Sequence, residues 1–352
     1  MSYKIIGSGY YIPTKKITNI EFAQHHFYTE SGEPFPQSNE VIAEKFQEIT
    51  GIAERRYVEN HLTTSDIAYL AAKEAIFNSG VDPETIDYII MAHNFGDVKK
   101  GTIQSDILPS LACRVKHLLK IKNPNCVAYD VLFGCPGWIE GMIQAKAFIQ
   151  AGMAKTCLVI GAETLSRVVD HHDRDSMIFS DGAGATILSM SDEDGGILAH
   201  QTATHTYDEA NYLHFGKSNK KDLDPNIRYI KMAGRKIYEF ALSNVPKAMK
   251  TCWDKTGLPV EKITKVLLHQ ANEKMDEAII HRFYKLYKQT PPKDIMPMNI
   301  KTLGNSSVAT VPTLYHMIIK GELENHSLKK GDYILFASVG AGMHINAIAY
   351  QM

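Results

Sequence analysis

Residues 129–142 read "YDVLFGCPGWIEGM", an apolar run that stops on Gly-Cys-Pro-Gly and passes straight into a helical pattern. Trp138, Met142, Ala145 and Ile149 follow at steps of four, three and four, which predicts an apolar helix buried near the centre of the molecule. Pro136 suits the first position of that helix, where its missing N–H costs nothing, and Gly152 suits the position just past its end. Cys135 therefore falls at the hinge between a buried strand and a helix N-terminus. Unpaired backbone N–H groups and the helix dipole there favour thiolate over thiol, and the flanking glycines let a substrate approach the sulfur. Cys126 and Cys157, inside apolar runs, read as packing. Cys135 reads as a nucleophile.

Outward from this hinge, short β-rich runs ("DYIIMAH", "CVAYDVLF", "TCLVIGAE", "ATILSM", "KVLLHQ", "DYILFASV") alternate with helical stretches such as 64–79 and 137–151. That is the pattern of an α/β protein with helices covering a sheet. The chain also echoes itself. "GVDPETIDYIIMAH" (80–93) and "GLPVEKITKVLLHQ" (257–270) share one order of turn and strand, and "CLVIGA" (157–162) matches "YILFAS" (333–338). "FGCPGWIEGMIQ" (133–144) and "LGNSSVATVPTL" (303–314) each open a helix from a glycine. Pairs at nearly one offset predict a duplicated α/β unit, with halves 1–196 and 197–352 meeting in the polar "SDEDGGI". Residues 27–39, "FYTESGEPFPQSN", form a loop-like insertion.

A cysteine nucleophile needs partners, and location selects them from 15 histidines. His269 ends the apolar strand "KVLLHQAN", at the end of the run where open α/β sheets place their sites. Asn305 opens the helix that echoes the Cys135 helix. If the halves are pseudo-symmetric, the two helix starts face each other.

The bulk numbers set the frame. The 352 residues are 44% hydrophobic and 22% charged, with a net charge of −1. Such a chain builds a substantial core and carries no electrostatic footprint for nucleic acid or an anionic membrane. No apolar run approaches a membrane span, and "MSYKIIGSGYYIP" lacks the pattern of a secretory signal. Five scattered cysteines fit reduced thiols in a cytoplasm.

Seven motifs in register, "TGIAERRYV", "DVLFGCPGW", "DRDSMIFSDGAGATIL", "IKMAGRKIYEFAL", "HQANEKM", "GNSSVATVP" and "SVGAGMHINAIA", span nearly the whole chain. Together they resemble the β-ketoacyl-acyl-carrier-protein synthase III group of the thiolase-like condensing enzymes. The resemblance implies a duplicated thiolase fold of five layers (αβαβα), a homodimer, and acyl-carrier-protein or coenzyme A thioesters as partners, with no metal or redox cofactor. It makes Cys135 the acyl-accepting nucleophile and His269 and Asn305 neutral donors to an enolate oxygen, with Gly340, Ala341 and Gly342 forming the oxyanion loop. A Cys-His-Asn set is similar to the initiating ketosynthases and their secondary-metabolic relatives, rather than to the Cys-His-His or Cys-His-Glu enzymes.

Some positions depart from the family pattern. Ala341 replaces the middle glycine of the oxyanion loop, Lys45 stands where an adenine-stacking tryptophan is usual, and Ile49 where a basic residue is common. Arg167 matches the other side of that adenine clamp. Glu239 replaces a usual lysine, and Lys274 a common arginine. The resemblance thus implies docking of an acidic carrier protein on Arg235, Lys236 and Lys274 in preference to coenzyme A. It also sends Leu108 across a dimer to the end of the partner's acyl pocket. "DHHDRD" (170–175) can be drawn as a metal site, but the match makes it an entrance loop. Three other readings stay open: condensation of two acyl thioesters, one a β-ketoacyl unit, as in dialkylresorcinol formation; a cysteine hydrolase; and a silent partner subunit. The retained cysteine argues against silence.

Overall fold

The structure, a computed structural model, describes residues 2–352. Nine strands form the main sheet: β1 (Ser2–Tyr11), β2 (Tyr88–Ala92), β3 (Val127–Val131), β4 (Thr156–Thr164), β5 (Asp181–Ser191), β6 (Gly196–Thr204), β7 (Ile263–Leu268), β8 (Tyr333–Gly340) and β9 (His344–Gln351). Their order across the sheet is β7-β8-β9-β6-β1-β5-β4-β2-β3. Read outward from the middle, one side runs first, fifth, fourth, second, third, and the other first, fourth, third, second of its own strands. Directions agree as well. β1–β5 and β5–β4 are antiparallel and β4–β2 parallel, as β6–β9, β9–β8 and β8–β7 are. The duplication is therefore visible in topology, with one strand missing. Where the second copy would have its edge strand, an irregular segment gives a single bond, Val266 N–H to the Ile295 carbonyl at 2.9 Å. The two half-sheets touch through one backbone bridge, Tyr3 with Gly196.

Helix α1 (Asn39–Thr50) packs beside the insertion at 27–39, and the other helices fill three layers around these half-sheets. In the first, α2 (Thr64–Ser79) and α3 (Leu111–Leu118) press small and branched residues onto one face; Ala68, Ala71, Ala72 and Ala75 meet Ile89, Ile160 and Ile187. A capping box at Thr63 and Asp66 starts α2, supplying two of its unpaired N–H groups. In the central layer, α4 (Gly137–Gln150) lies with the helix Thr310–Ile319 between the half-sheets. The predicted stripe of Trp138, Met142, Ala145 and Ile149 is buried there against Val159, Leu314, Phe336 and Ile348. A helix apolar on most of its surface can only be placed between two sheets. In the outer layer, α5 (Gly234–Asp254) and α6 (Glu273–Lys285) cover the second half-sheet, with Val245, Met249 and Phe283 on Val266, Leu335 and Ala347. This αβαβα arrangement is the thiolase fold.

Two features differ from the sequence reading. The strand leading to Cys135 was expected to be buried, yet β3 is the outermost strand and half-exposed, with Val127 and Leu132 open to solvent. A five-residue edge strand needs only one apolar face, so a run of hydrophobic residues does not distinguish edge from centre. Pro136 also sits one position earlier than expected, as the residue capping α4, with Gly137 first in the helix. Gly152 follows the helix end with φ of +73°. The insertion at 27–39 is largely irregular, pinned by a bridge between Tyr28 and Pro34 and by the buried Phe27.

Candidate active site

Cys135, His269 and Asn305 converge on one cavity of about 280 Å³. Cys135 enters from the turn between β3 and α4. His269 follows β7 directly, its N–H bonded to the Ala337 carbonyl at 2.9 Å. Asn305 is locked by its backbone between two neighbours: its N–H donates to the Ile178 carbonyl at 3.0 Å and its carbonyl accepts from Ser180 N–H at 2.8 Å. A single turn, Ser307–Ala309, connects it to the helix Thr310–Ile319. The loop Gly340–Ala341–Gly342, expected to hold the oxyanion donors, begins at the last residue of β8 and packs on the Cys135 turn. A Cβ on Gly340 would collide with the Cys135 nitrogen, so glycine there is a matter of space.

Hydrogen bonds orient the polar groups. Asn305 Oδ1 accepts from Ser307 N–H at 2.8 Å, which leaves its Nδ2 as the group able to donate into the cavity. Burial pushes the His269 imidazole down to about 4, with a hydrogen bond to the Ser307 backbone acting against it. The ring is therefore neutral at physiological pH. Its Nδ1 is buried and finds no hydrogen-bond partner among the described residues, so no acidic or amide group orients it as a base. Burial pushes the Cys135 thiol up to about 11; a hydrogen bond from Ser307 Oγ, 3.3 Å from Sγ, and its own backbone N–H oppose this, and Glu163 adds to it. The sequence reading favoured thiolate at the helix start. In this largely apolar pocket, desolvation outweighs the helix terminus.

The cavity walls beyond the sulfur are apolar, including Phe95, Leu165, Phe179, Leu213, Phe215 and Met343. Two of these come from a ribbon, Leu213–Gly216 paired with Tyr229–Met232, that closes over the site. Lys231 pins this ribbon. Its buried ammonium donates to Asp170 at 2.6 Å, Asp173 at 2.9 Å and Asn219 at 2.8 Å. Asp170 and Asp173 of "DHHDRD" thus hold a lysine, and that segment frames the entrance.

A wider cleft of about 670 Å³ shares Ile178, Met232, Ile237, Ala271 and Met275 with the inner cavity and opens it to the surface. Lys45, Ile49, Arg174, Arg235 and Tyr238 line this entrance. Arg167 does not. Its guanidinium turns inward, donating to the Glu59 carbonyl at 2.9 Å and the Leu62 carbonyl at 3.3 Å, where burial lowers its pKa. Arg174, stacked over Phe35 at 5.1 Å, lines the cleft together with Lys45 and Arg235. Both arginines lie in short turns of the same connection, and linear spacing does not tell which one points outward. Arg235 is paired with Glu239 at 2.9 Å, Lys236 lies over the Tyr212 ring, and Lys274 is exposed in the first turn of α6. Leu108 is 87% exposed and does not line this cavity.

A half-buried thiol, a neutral imidazole and an oriented amide, set at the meeting of two half-sheets in five layers, define an acyl-transferring condensing enzyme of the thiolase-fold class. Sequence comparison makes the class specific. The family model described as 3-oxoacyl-[acyl-carrier-protein] synthase III matches residues 129–206, and that of its C-terminal region matches residues 253–352. A β-ketoacyl-[acyl-carrier-protein] synthase III of Aquifex aeolicus is 33% identical over 349 residues, 99% of each chain. A crystal structure of 3-oxoacyl-[acyl-carrier-protein] synthase III from the same organism superposes with a TM-score of 0.81 at 32% identity over 100% of both chains. The priming β-ketosynthase of the R1128 polyketide pathway shares the fold with a TM-score of 0.81 at 24% identity, over 100% of this chain and 96% of that one. The chain belongs to the β-ketoacyl-acyl-carrier-protein synthase III family of ketosynthases.

Proposed function

We propose that the chain loads an acyl group onto Cys135 and condenses it with a malonyl carrier-protein thioester to give a β-ketoacyl product. The observation that carries this reading is the state of His269: neutral, buried and without a partner on Nδ1 among the described residues. A hydrolase that raised the imidazole to a general base would need a group to orient and stabilise its protonated form. A donor to an enolate oxygen needs only a neutral N–H in a fixed place. His269 and the Asn305 amide supply two such donors and add no competing charge. Backbone N–H groups of Cys135 and of the loop 340–342 serve the tetrahedral oxyanion of acyl transfer. Loss of carbon dioxide from the malonyl unit leaves the enolate, which attacks the acyl-cysteine.

In this proposal the half 1–196 brings the nucleophile and the half 197–352 brings His269 and Asn305. The enzyme works as a homodimer in a reducing cytoplasm, a reading supported by five free cysteines, the open edge of β3 and the exposed Ile103, Ile107 and Leu108. No described helix is long and apolar enough to cross a membrane. Acyl-carrier-protein thioesters are the preferred donors, because Lys45, Arg174 and Arg235 at the entrance suit an acidic partner while no aromatic ring sits at position 45 to stack on adenine. The product enters fatty-acid-like or specialised-metabolite synthesis. Intact-mass spectrometry with acyl and malonyl carriers tests the reaction: an acyl adduct on Cys135 that is discharged by malonyl carrier with release of carbon dioxide is expected. An adduct discharged by water alone means a hydrolase. One discharged only by a β-ketoacyl thioester means non-decarboxylative condensation of the dialkylresorcinol type.

A further inference from the structure

Ser307 is the residue that touches both Cys135 and Asn305. Its hydroxyl donates to Cys135 Sγ at 3.3 Å, and its N–H donates to Asn305 Oδ1 at 2.8 Å. It does so with φ of +53°, a backbone region that L side chains other than asparagine and aspartate rarely adopt. A strained residue that contacts the sulfur and orients the amide invites a functional explanation. The surroundings supply one. Asn94 Nδ2 donates to the buried Glu163 carboxyl and lies 3.4 Å from Ser307 Oγ. An amide nitrogen carries two hydrogens and no acceptor, so Asn94 can serve both oxygens only as a donor. Ser307 Oγ, receiving from Asn94, has its own hydrogen free to point at the sulfur. The sense of the whole chain is thereby determined, from Asn94 through Ser307 to Cys135.

Resting on the reading of Cys135 as nucleophile, we propose that Ser307 is a further catalytic residue whose hydroxyl stabilises the Cys135 thiolate, with Asn94 and Glu163 as positioning residues that fix the direction of its hydrogen bond. During acylation the sulfur bonds to the acyl carbon, the carrier's carbon–sulfur bond breaks, and the thiol proton leaves with the carrier thiolate. Ser307 gives up no proton; its bond strengthens as charge develops on sulfur and relaxes when the thioester forms. The titratable groups facing the sulfur are His269 and Glu163, with Asp181 beyond Glu163. His269 stays neutral, whereas a charge on Glu163 opposes the thiolate. The two arms of the device therefore predict opposite effects.

The test is the pH dependence of Cys135 alkylation by iodoacetamide, followed on the Cys135 peptide by mass spectrometry. Ser307→Ala should move the midpoint upward by about one pH unit and slow alkylation about tenfold below it. Asn94→Ala should move it the same way by less. Glu163→Gln, which keeps an acceptor for Asn94 and removes the ionisable group, should move it downward. A merely structural role would not separate the signs. A Ser307→Ala protein that melts like the wild type and keeps the wild-type profile overturns the proposal; should that variant not fold, an unshifted profile for Asn94→Ala overturns it. The alkylation readout needs no acyl substrate, so a wild-type protein that takes up no acyl group would sink the proposed function and with it the catalytic role of Ser307, while the alkylation profile by itself decides whether Ser307 stabilises the thiolate.

Discussion

Gly134 and Ala341 lie back to back, so that a Cβ on Gly134 would stand 2.6 Å from the Ala341 nitrogen. Gly134 also holds φ at +62°, a conformation that costs an alanine on its own. The Cys135 turn and the loop 340–342, the proposed oxyanion loop, thus share one packed boundary. Gly134→Ala should cost roughly 1–3 kcal/mol of stability and displace the oxyanion donors. Thermal unfolding and the rate of acyl uptake measure the two effects. Near-native values for both would show that the loops are not coupled.

The half-reactions should separate by mutation. Cys135→Ala should abolish acyl uptake and condensation together. His269→Ala and Asn305→Ala should still gain the mass of an acyl group and fail to condense, each losing a preorganised donor typically worth ~2.7–4 kcal/mol, a hundredfold or more in rate. Asn305→Ala condensing at the wild-type rate would remove that residue from the enolate site.

At the entrance, Arg174 and Arg167 should behave differently although both lie in the same connection. Arg174→Glu faces the cleft and should raise the KM for a carrier-protein thioester and weaken its salt dependence, with kcat little changed. Arg167→Ala strips donors from two carbonyls and should lower the melting temperature with little effect on KM. Steady-state kinetics at two salt concentrations, with melting curves, distinguish them.

Burial raises the Glu163 carboxyl to about 8 from its ordinary 4.5. Between these values the folded chain holds a proton that the unfolded chain has lost, so this group erodes stability as pH rises from 4.5 to 8. His269 acts at the other end: lowered from 6.5 to about 4, it takes up its proton more readily when unfolded, so stability falls as pH drops from 6.5 towards 4. Glu163→Gln should therefore raise the melting temperature by a few degrees above pH 8 and leave it unchanged below 4.5. A gain of equal size at both ends would mean a packing effect.

Acyl-chain preference tests the reach of Leu108. Exposed on its own protomer, it would close the acyl pocket of a second copy in the proposed dimer, and leucine there suits medium chains of about six to ten carbons. Each further buried CH₂ adds up to ~0.8 kcal/mol until the pocket ends. Leu108→Phe should shorten the preferred chain in competition assays, and a wild-type rate that falls steadily beyond acetyl would contradict the assignment.

Much of this molecule is written in its local patterns. The stripe from Trp138 to Ile149 predicts a helix buried on most sides, and the echo between "CLVIGA" and "YILFAS" corresponds to the equivalent strands β4 and β8. Cys135 and His269 stand out because each follows an apolar strand run. Other features depend on three-dimensional surroundings. Which arginine faces the cleft is decided by two short helical turns, Leu165–Arg167 and Arg174–Ile178, whose side-chain directions have no period to read. Whether the Cys135 sulfur is charged depends on groups distant in sequence, Glu163 and Ser307, that close around it. Asn94 carries no motif of its own, and Ser307, although inside "GNSSVATVP", has no spacing that tells that its hydroxyl reaches the sulfur.

The strand that delivers the nucleophile is also the last strand of its sheet, with one side of its backbone unpaired by the described chain. Cys135 lies only four residues beyond its end. A second copy that hydrogen-bonds to that margin would stiffen the segment leading to the sulfur, so assembly and chemistry would share a lever. Turnover per molecule would then depend on how crowded the solution is: dilution through the dissociation range should slow each active site well before any protein unfolds, and adding back inactive Cys135→Ala chains should restore it.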